Sequence, residues 1–311
     1  MKKKIFIASV VMVSMVSCGG SEESTENTEN ENKTEEVAPD ETEEVEEVEI
    51  TQIDPFTDFP DVGFAGGEGD YVLTPSKNWQ EDATRDGGES TTFIFYDAKM
   101  GVPGPEYSTV DFRFDGEVEI PNYMIVPIKP NQSVKKGDII LTWWQTSSGM
   151  QRAIVVDDSN PKEPIVNYLD LDWDNPAKNN DGVGIGQATY QIEPNTFHAL
   201  TKKWDVGTTV AVKDGSDYKA ATIISISGDK VLTIGFAGKM ATYNMADCTA
   251  IEVNPNVKEG DEVQAPWVGK FINTKVVKVD KKMGRVWVDD PYSDDPMVVP
   301  FGDVTTGLSI Q

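Results

Sequence analysis

The sequence predicts an all-β protein, with tandem small antiparallel β-barrels carried behind a disordered acidic tether. Three observations predict it. Beyond residue 51, runs of four to seven β-branched and aromatic residues alternate with Gly, Pro, Asn and Asp turns. No stretch sustains an apolar period of 3.6 residues. A glycine-led strand opening also recurs along the chain, which is how repeat architectures announce themselves.

Composition limits the function classes. The 311 residues carry 27 Lys+Arg against 53 Asp+Glu, a net charge of −26, with one His and two Cys. Such a balance argues against nucleic acid, since phosphate binding needs clustered cations. One histidine excludes multi-His metal sites, and two cysteines exclude zinc ribbons and disulfide-dense scaffolds. No G-x-S-x-G, H-E-x-x-H or P-loop motif occurs, so catalysis has no support in the sequence and no cofactor is expected.

Residues 1–18 read as an export signal. Lys2, Lys3 and Lys4 precede an apolar run of twelve, Ile5 to Val16, too short to span a bilayer, which needs about 20 residues. Its end, Met15-Val16-Ser17-Cys18-Gly19, resembles a bacterial lipoprotein signal, in which a small residue precedes a cysteine that is lipidated and becomes the mature N-terminus; Met15 stands where Leu is usual. The resemblance implies lipidation at Cys18 and membrane attachment through the lipid. Residues 19–50 hold 14 acidic residues against the single Lys33 and no aromatic residue. Such a segment buries too little apolar surface to offset chain entropy and is expected to be a disordered spacer. Gly19 stands where enteric lipoproteins kept in the inner membrane carry Asp, and the acidic Ser21-Glu22-Glu23 resembles the surface-export signals of some Gram-negative lipoproteins; together these resemblances imply the outer membrane, facing either the surface or the periplasm.

The repeats follow. Gly137-Asp138-Ile139-Ile140-Leu141, Gly207-Thr208-Thr209-Val210-Ala211 and Gly260-Asp261-Glu262-Val263-Gln264 are versions of one opening. Second strands are expected at Ala153–Asp157, Ala221–Ser225 and Thr274–Lys278. Third strands are expected at Ile165–Tyr168, Val231–Ile234 and Arg285–Val288, and closing strands at Ala188–Ile192, Ala241–Met245 and Met297–Phe301. Gly69-Asp70-Tyr71-Val72-Leu73 opens an earlier candidate unit, with later strands at Thr92–Tyr96, Thr109–Phe114 and Tyr123–Ile128. The opening glycines lie 68, 70 and 53 residues apart. The expected segments are therefore a β-rich first unit at 51–130 and barrels at 131–203, 204–254 and 255–311, the first of these barrels with an Asn/Asp/Gly-rich insertion from Asp157 to Gln187. Closure into barrels would remove exposed strand edges.

The x-G-D-x-V openings, the run Tyr218-Lys219-Ala220-Ala221-Thr222-Ile223 and the glycine-rich strand after it resemble Tudor/Agenet-type modules of the Src-homology-3-like barrel class, over about residues 134–304. That resemblance implies a binding module. Eukaryotic relatives hold methylated Lys or Arg in an aromatic cage, which works by cation–π attraction. Rings available here are Trp143, Trp144, Tyr168 and Trp173, then Tyr218, Phe236 and Tyr243, then Trp267, Phe271, Trp287 and Tyr292. Trp144 with Tyr168 or Trp173 is the expected ligand site, because paired Trp residues and a long polar insertion meet only there, with Asp170, Asp172 and Asp174 adding field.

Other residues carry less. Asp170 to Asp181 has the acidic alternation of a calcium loop but Asn175 where glycine is required, and Asp289-Asp290 with Asp294-Asp295 reads as a solvated loop, so no metal is expected. Cys248 reads as a small apolar residue, and His198 has no nucleophile motif near it. The expectation is a lipid-anchored envelope protein that binds or scaffolds a protein or glycan of cationic or polyhydroxylated character. The alternatives are an inert envelope spacer, or an enzyme working a carbohydrate with two carboxylates.

Overall fold

The computed structural model describes residues 54–310 apart from 65, 80–81, 84–90, 114–115, 144–148 and 170–188. The expected signal, Cys18, the tether, Trp144, Trp173 and the acidic run at 170–181 lie outside the described residues.

The chain is all-β, and the same strand pattern occurs four times, three times with five strands and once with four. The first sheet comprises β1 (Tyr71–Pro75), β2 (Phe95–Met100), β3 (Tyr107–Phe112), β4 (Gly116–Pro121) and β5 (Val126–Pro127), in the order β4-β3-β2-β1-β5. The second comprises β6 (Ile139–Trp143), β7 (Met150–Asp157), β8 (Ile165–Tyr168), β9 (Tyr190–Gln191) and β10 (His198–Ala199), in the order β10-β6-β7-β8-β9. Both run fifth-first-second-third-fourth. The third unit repeats it with β11 (Thr209–Asp214), β12 (Asp217–Ser227), β13 (Lys230–Gly235), β14 (Met240–Asn244) and β15 (Cys248–Ala250), where β15 pairs β11. The fourth has β16 (Glu262–Trp267), β17 (Lys270–Asp280), β18 (Arg285–Val288) and β19 (Met297–Pro300), with the bridge Gln264–Thr305 in place of its fifth strand. A single pair, Lys219 with Lys270, joins these last two units into one sheet.

Each unit starts on the same turn, and the sequence shows why. Gly69, Gly137, Gly207 and Gly260 have φ of +83°, +90°, +83° and +90°, a region open to glycine at little cost. Each donates its N–H to the second strand, to the carbonyls of Met100, Val155, Ile223 and Val276 at 2.7–2.8 Å. The next residue closes the turn with its side chain: Asp70, Asp138 and Asp261 accept from the N–H three residues back at 2.7, 2.7 and 2.9 Å. In the third unit Thr208 Oγ1 substitutes, accepting from Asp205 N–H at 3.3 Å. The second strands then shift register at Val155/Asp157, Ile223/Ser225 and Val276/Lys278. Such bulges bend a strand and raise its twist, so β12 pairs β11 with its first half and β13 with its second.

Closed barrels are corrected to open, bent sheets. Among the described residues no ladder joins a fourth strand to a fifth. The fifth strands are only two or three residues long, and each pairs with the first strand of its unit alone. The units pack on one another instead: one apolar cluster includes Leu73, Leu141, Ile154, Ile234, Val276 and Val286 from all four units. The first unit needs a second correction: Tyr123–Ile128 is not a strand throughout. Asn122–Met124 is a 3-10 turn leading into the short β5, and the fourth strand is Gly116–Pro121, whose buried Val118 and Ile120 alternate with glutamates.

Residues 54–64 precede β1 and pack into the first unit. Phe56 and Phe59 are buried, with rings 5.8 Å from Phe93 and 5.5 Å from Tyr123. The Tyr123 hydroxyl donates to Asp54 and accepts from Phe56 N–H. Burial and the hydrogen bond to Asp54 push the phenol well above its ordinary range.

Candidate aromatic ligand surface

Of the three expected ligand residues only Tyr168 is described, and it is a core ring. It stands on β8 in the cluster of Ile140, Val155, Val166 and Phe197, with its ring 5.9 Å from that of Tyr190. Burial raises its hydroxyl pKa above the ordinary range. A ring at 2 % exposure has no face left for a ligand, so the expectation for Tyr168 fails. Trp143, at the end of β6, donates its indole N–H to the Phe95 carbonyl at 3.1 Å and so packs on the first unit.

The remaining rings sort by exposure. Phe271 and Trp287 are buried, and Trp287 already carries the Lys278 ammonium 4.2 Å from its centroid. Two rings stand out in solvent: Tyr292 at 72 % and Phe236 at 64 %.

Phe236 belongs to one of two abutting turns built alike, and Tyr292 to a loop beside the other. The β16–β17 turn is Val268-Gly269, with φ of +47° and +77°, and the β13–β14 turn contains Ala237-Gly238 at +56° and +68°. Two successive positive φ values make a turn whose twist suits a tight hairpin, with Asn or Gly the low-cost first residue. Valine there is a true outlier, and such strain concentrates where a surface is shaped for use. An aromatic residue precedes each turn: Trp267-Val268-Gly269 and Phe236-Ala237-Gly238. The two turns abut, since a Cβ added to Gly269 would come within 2.6 Å of Phe236 Cβ. The far side of the Phe236 turn is pinned by Phe93 N–H donating to the Gly238 carbonyl at 2.8 Å.

Tyr292 arrives from the β18–β19 loop. Asp290 Oδ1 accepts Tyr292 N–H at 2.9 Å, and Ser293 Oγ accepts Asp295 N–H at 3.1 Å, so the acidic loop orders itself. The Tyr292 ring lies 4.4 Å from that of Trp267 at 31°, an offset stack that leaves its outer face in water. Opposite Trp267 on the hairpin, the Lys270 ammonium is drawn to Asp217 at 3.2 Å. The surface therefore combines Trp267, Val268, Tyr292 and Phe236, and the loop that carries Tyr292 also carries Asp289, Asp290, Asp294 and Asp295. Among the described residues, no group of three or more His, Cys, Asp or Glu side chains is placed to hold a metal ion.

No family model matches the chain, and no curated protein does. Solved structures with local similarity include the third and fourth tandem Agenet domains of ADCP1, at 17% identity over 33% of this chain and 79% of that one, with a TM-score of 0.19. The corresponding domains of Arabidopsis thaliana AGDP1 match at 17% identity over 33% and 82%, with a TM-score of 0.21. The four MBT repeats of Drosophila melanogaster Sfmbt, solved with a methylated-lysine peptide, match at 8% identity over 77% and 88%, with a TM-score of 0.15. All three have TM-scores of 0.21 or less, and the strand order defines the fold.

Proposed function

We propose that this chain is a lipid-anchored envelope protein whose tandem β-sheet units form a non-catalytic binding module for cationic segments of a partner protein. The observation that carries it is the Tyr292 ring, largely exposed and stacked on Trp267, in a loop that holds four aspartates. An ammonium or guanidinium over an exposed ring gains about 0.5–1 kcal/mol, and the acidic loop adds attraction that salt screens. Titrating a Lys/Arg-rich peptide into the full chain tests this. Tyr292→Ala should weaken binding about threefold, and wild-type affinity should fall as salt rises. No binding, or binding indifferent to Tyr292→Ala, overturns the reading. A response to neutral glycans but not to basic peptides would move the ligand to the polyhydroxylated class and equally overturn it.

The anchor is carried by Val16-Ser17-Cys18. Cys18→Ala should release the protein from the membrane fraction, and sedimentation of the variant with membranes would refute lipid attachment there.

A further inference from the structure

A cleft of about 310 Å³ opens between the first and third units and shares no residue with the aromatic surface. Phe64 comes from the segment before β1, Ile125 from the approach to β5, Trp204 and Asp205 from the chain leading into β11, and Ile224 and Ser225 from the bulge of β12. Two ordered sheets and a segment tied down by Phe56 and Phe59 thus supply its lining, and its size lies at the small end of ligand pockets.

Most of the lining is apolar, and Asp205 is its single charged side chain. That carboxylate is held in place by Oδ1 accepting Val206 N–H at 2.9 Å, while Oδ2 lies 3.1 Å from His198 Nε2 without hydrogen-bond geometry. A carboxylate offers about four acceptor positions, so these contacts orient Asp205 without exhausting it. Lys203, two residues away, directs its ammonium to Glu252 at 3.1 Å. The chain as a whole carries a charge of −26, so a cation is favoured on approach as well as in the cleft.

We infer that this cleft is a second binding site, for a small organic monocation whose apolar body fills the space between Phe64, Trp204 and Ile224 and whose ammonium meets Asp205. The match is one of chemistry: two aromatic side chains and an aliphatic lining receive the body, and one oriented carboxylate receives one donor. A hydrogen bond to a charged group contributes about 1.5–3 kcal/mol, which corresponds to roughly tenfold or more in affinity over a neutral ligand of the same shape.

Saturation-transfer NMR and calorimetry on the full chain, with 2-phenylethylammonium and its neutral counterpart 2-phenylethanol, provide the test. The ammonium should bind about tenfold tighter. Asp205→Asn should erase that preference while the alcohol still binds, and Ser225→Leu should remove both ligands by filling the cleft. Phe64→Ala, which takes away one ring without filling anything, should weaken both. Tyr292→Ala should change neither, which separates this site from the peptide surface. Absence of transfer to either compound, equal affinity for the two, or undiminished binding to Ser225→Leu and Phe64→Ala overturns the inference.

Discussion

At the scale of single residues, chemistry and position separate structural groups from functional ones. Cys248 lies on β15 beside the apolar cluster of the third unit. Burial, followed by the nearby Asp247 carboxylate, pushes its thiol from 9.0 up to about 11. Thiolate is the nucleophilic form, so the raised pKa disfavours reaction of Cys248 at neutral pH; the side chain is half-buried rather than the fully buried apolar residue its sequence reading expects. Alkylation by iodoacetamide should titrate with a midpoint near 11 and leave the protein essentially unmodified at pH 7.4. Fast labelling at neutral pH would refute this. The sign for stability follows, because the fold favours the protonated thiol: its contribution is present below pH 9 and is lost as pH rises through 11. Tyr168 shows where residue-level reading fails. Sequence reveals that a ring is available, yet which face of β8 meets the core depends on register, and a one-residue step reverses it. Trp267 and Phe236 carried a readable signal: an aromatic residue directly before a non-glycine residue and a glycine, at a hairpin turn.

At the scale of elements, the four opening turns make the fold legible. The Gly-Asp pair leaves a local chemical mark, a positive φ followed by a carboxylate that caps the turn, and the third strands Ile165–Tyr168 and Arg285–Val288 fall where alternation places them. Closure was not legible, because it depends on whether two- and three-residue fifth strands can reach across, which no local pattern encodes. The missed β4 did alternate, but its glutamates and terminal proline obscured two buried positions. The turns also allow a controlled comparison. A Cβ on Gly260 meets nothing within 4 Å, so Gly260→Ala bears only the backbone cost of φ +90°, about 1–2 kcal/mol. Gly207 has a similar φ, but its added Cβ would come within 2.7 Å of Leu141 in the second unit. Gly207→Ala should therefore lower the urea midpoint clearly more than Gly260→Ala. Equal losses would show that Gly207 matters only for its backbone.

For the whole described molecule, the units behave as one body because their contacts are built into their cores. Asp303 is the meeting point of three of them. Its two carboxylate oxygens take both 2.8 Å bonds from Arg152 Nη2 on β7, and Oδ1 also accepts from Thr209 Oγ1 on β11 at 2.6 Å. Arg152 Nη1 donates in addition to the Phe301 carbonyl at 3.2 Å. The guanidinium and carboxylate are both largely shielded, at 13 % and 16 % side-chain exposure, so removing one partner strands the other in poor solvent. Asp303→Ala should cost about 3 kcal/mol. The double variant with Arg152→Ala should cost clearly less than the sum of the two single changes, since both break one network. Repeats that fold independently would confine the loss to one part of the chain and give separate transitions by different probes. A core shared by Leu73, Leu141, Ile234 and Val276 requires instead that far-UV and near-UV signals move together in one transition, shifted as a whole by Asp303→Ala. Two resolved transitions, with only the second responding, would mean that the shared core does not couple the units and that each stands on its own.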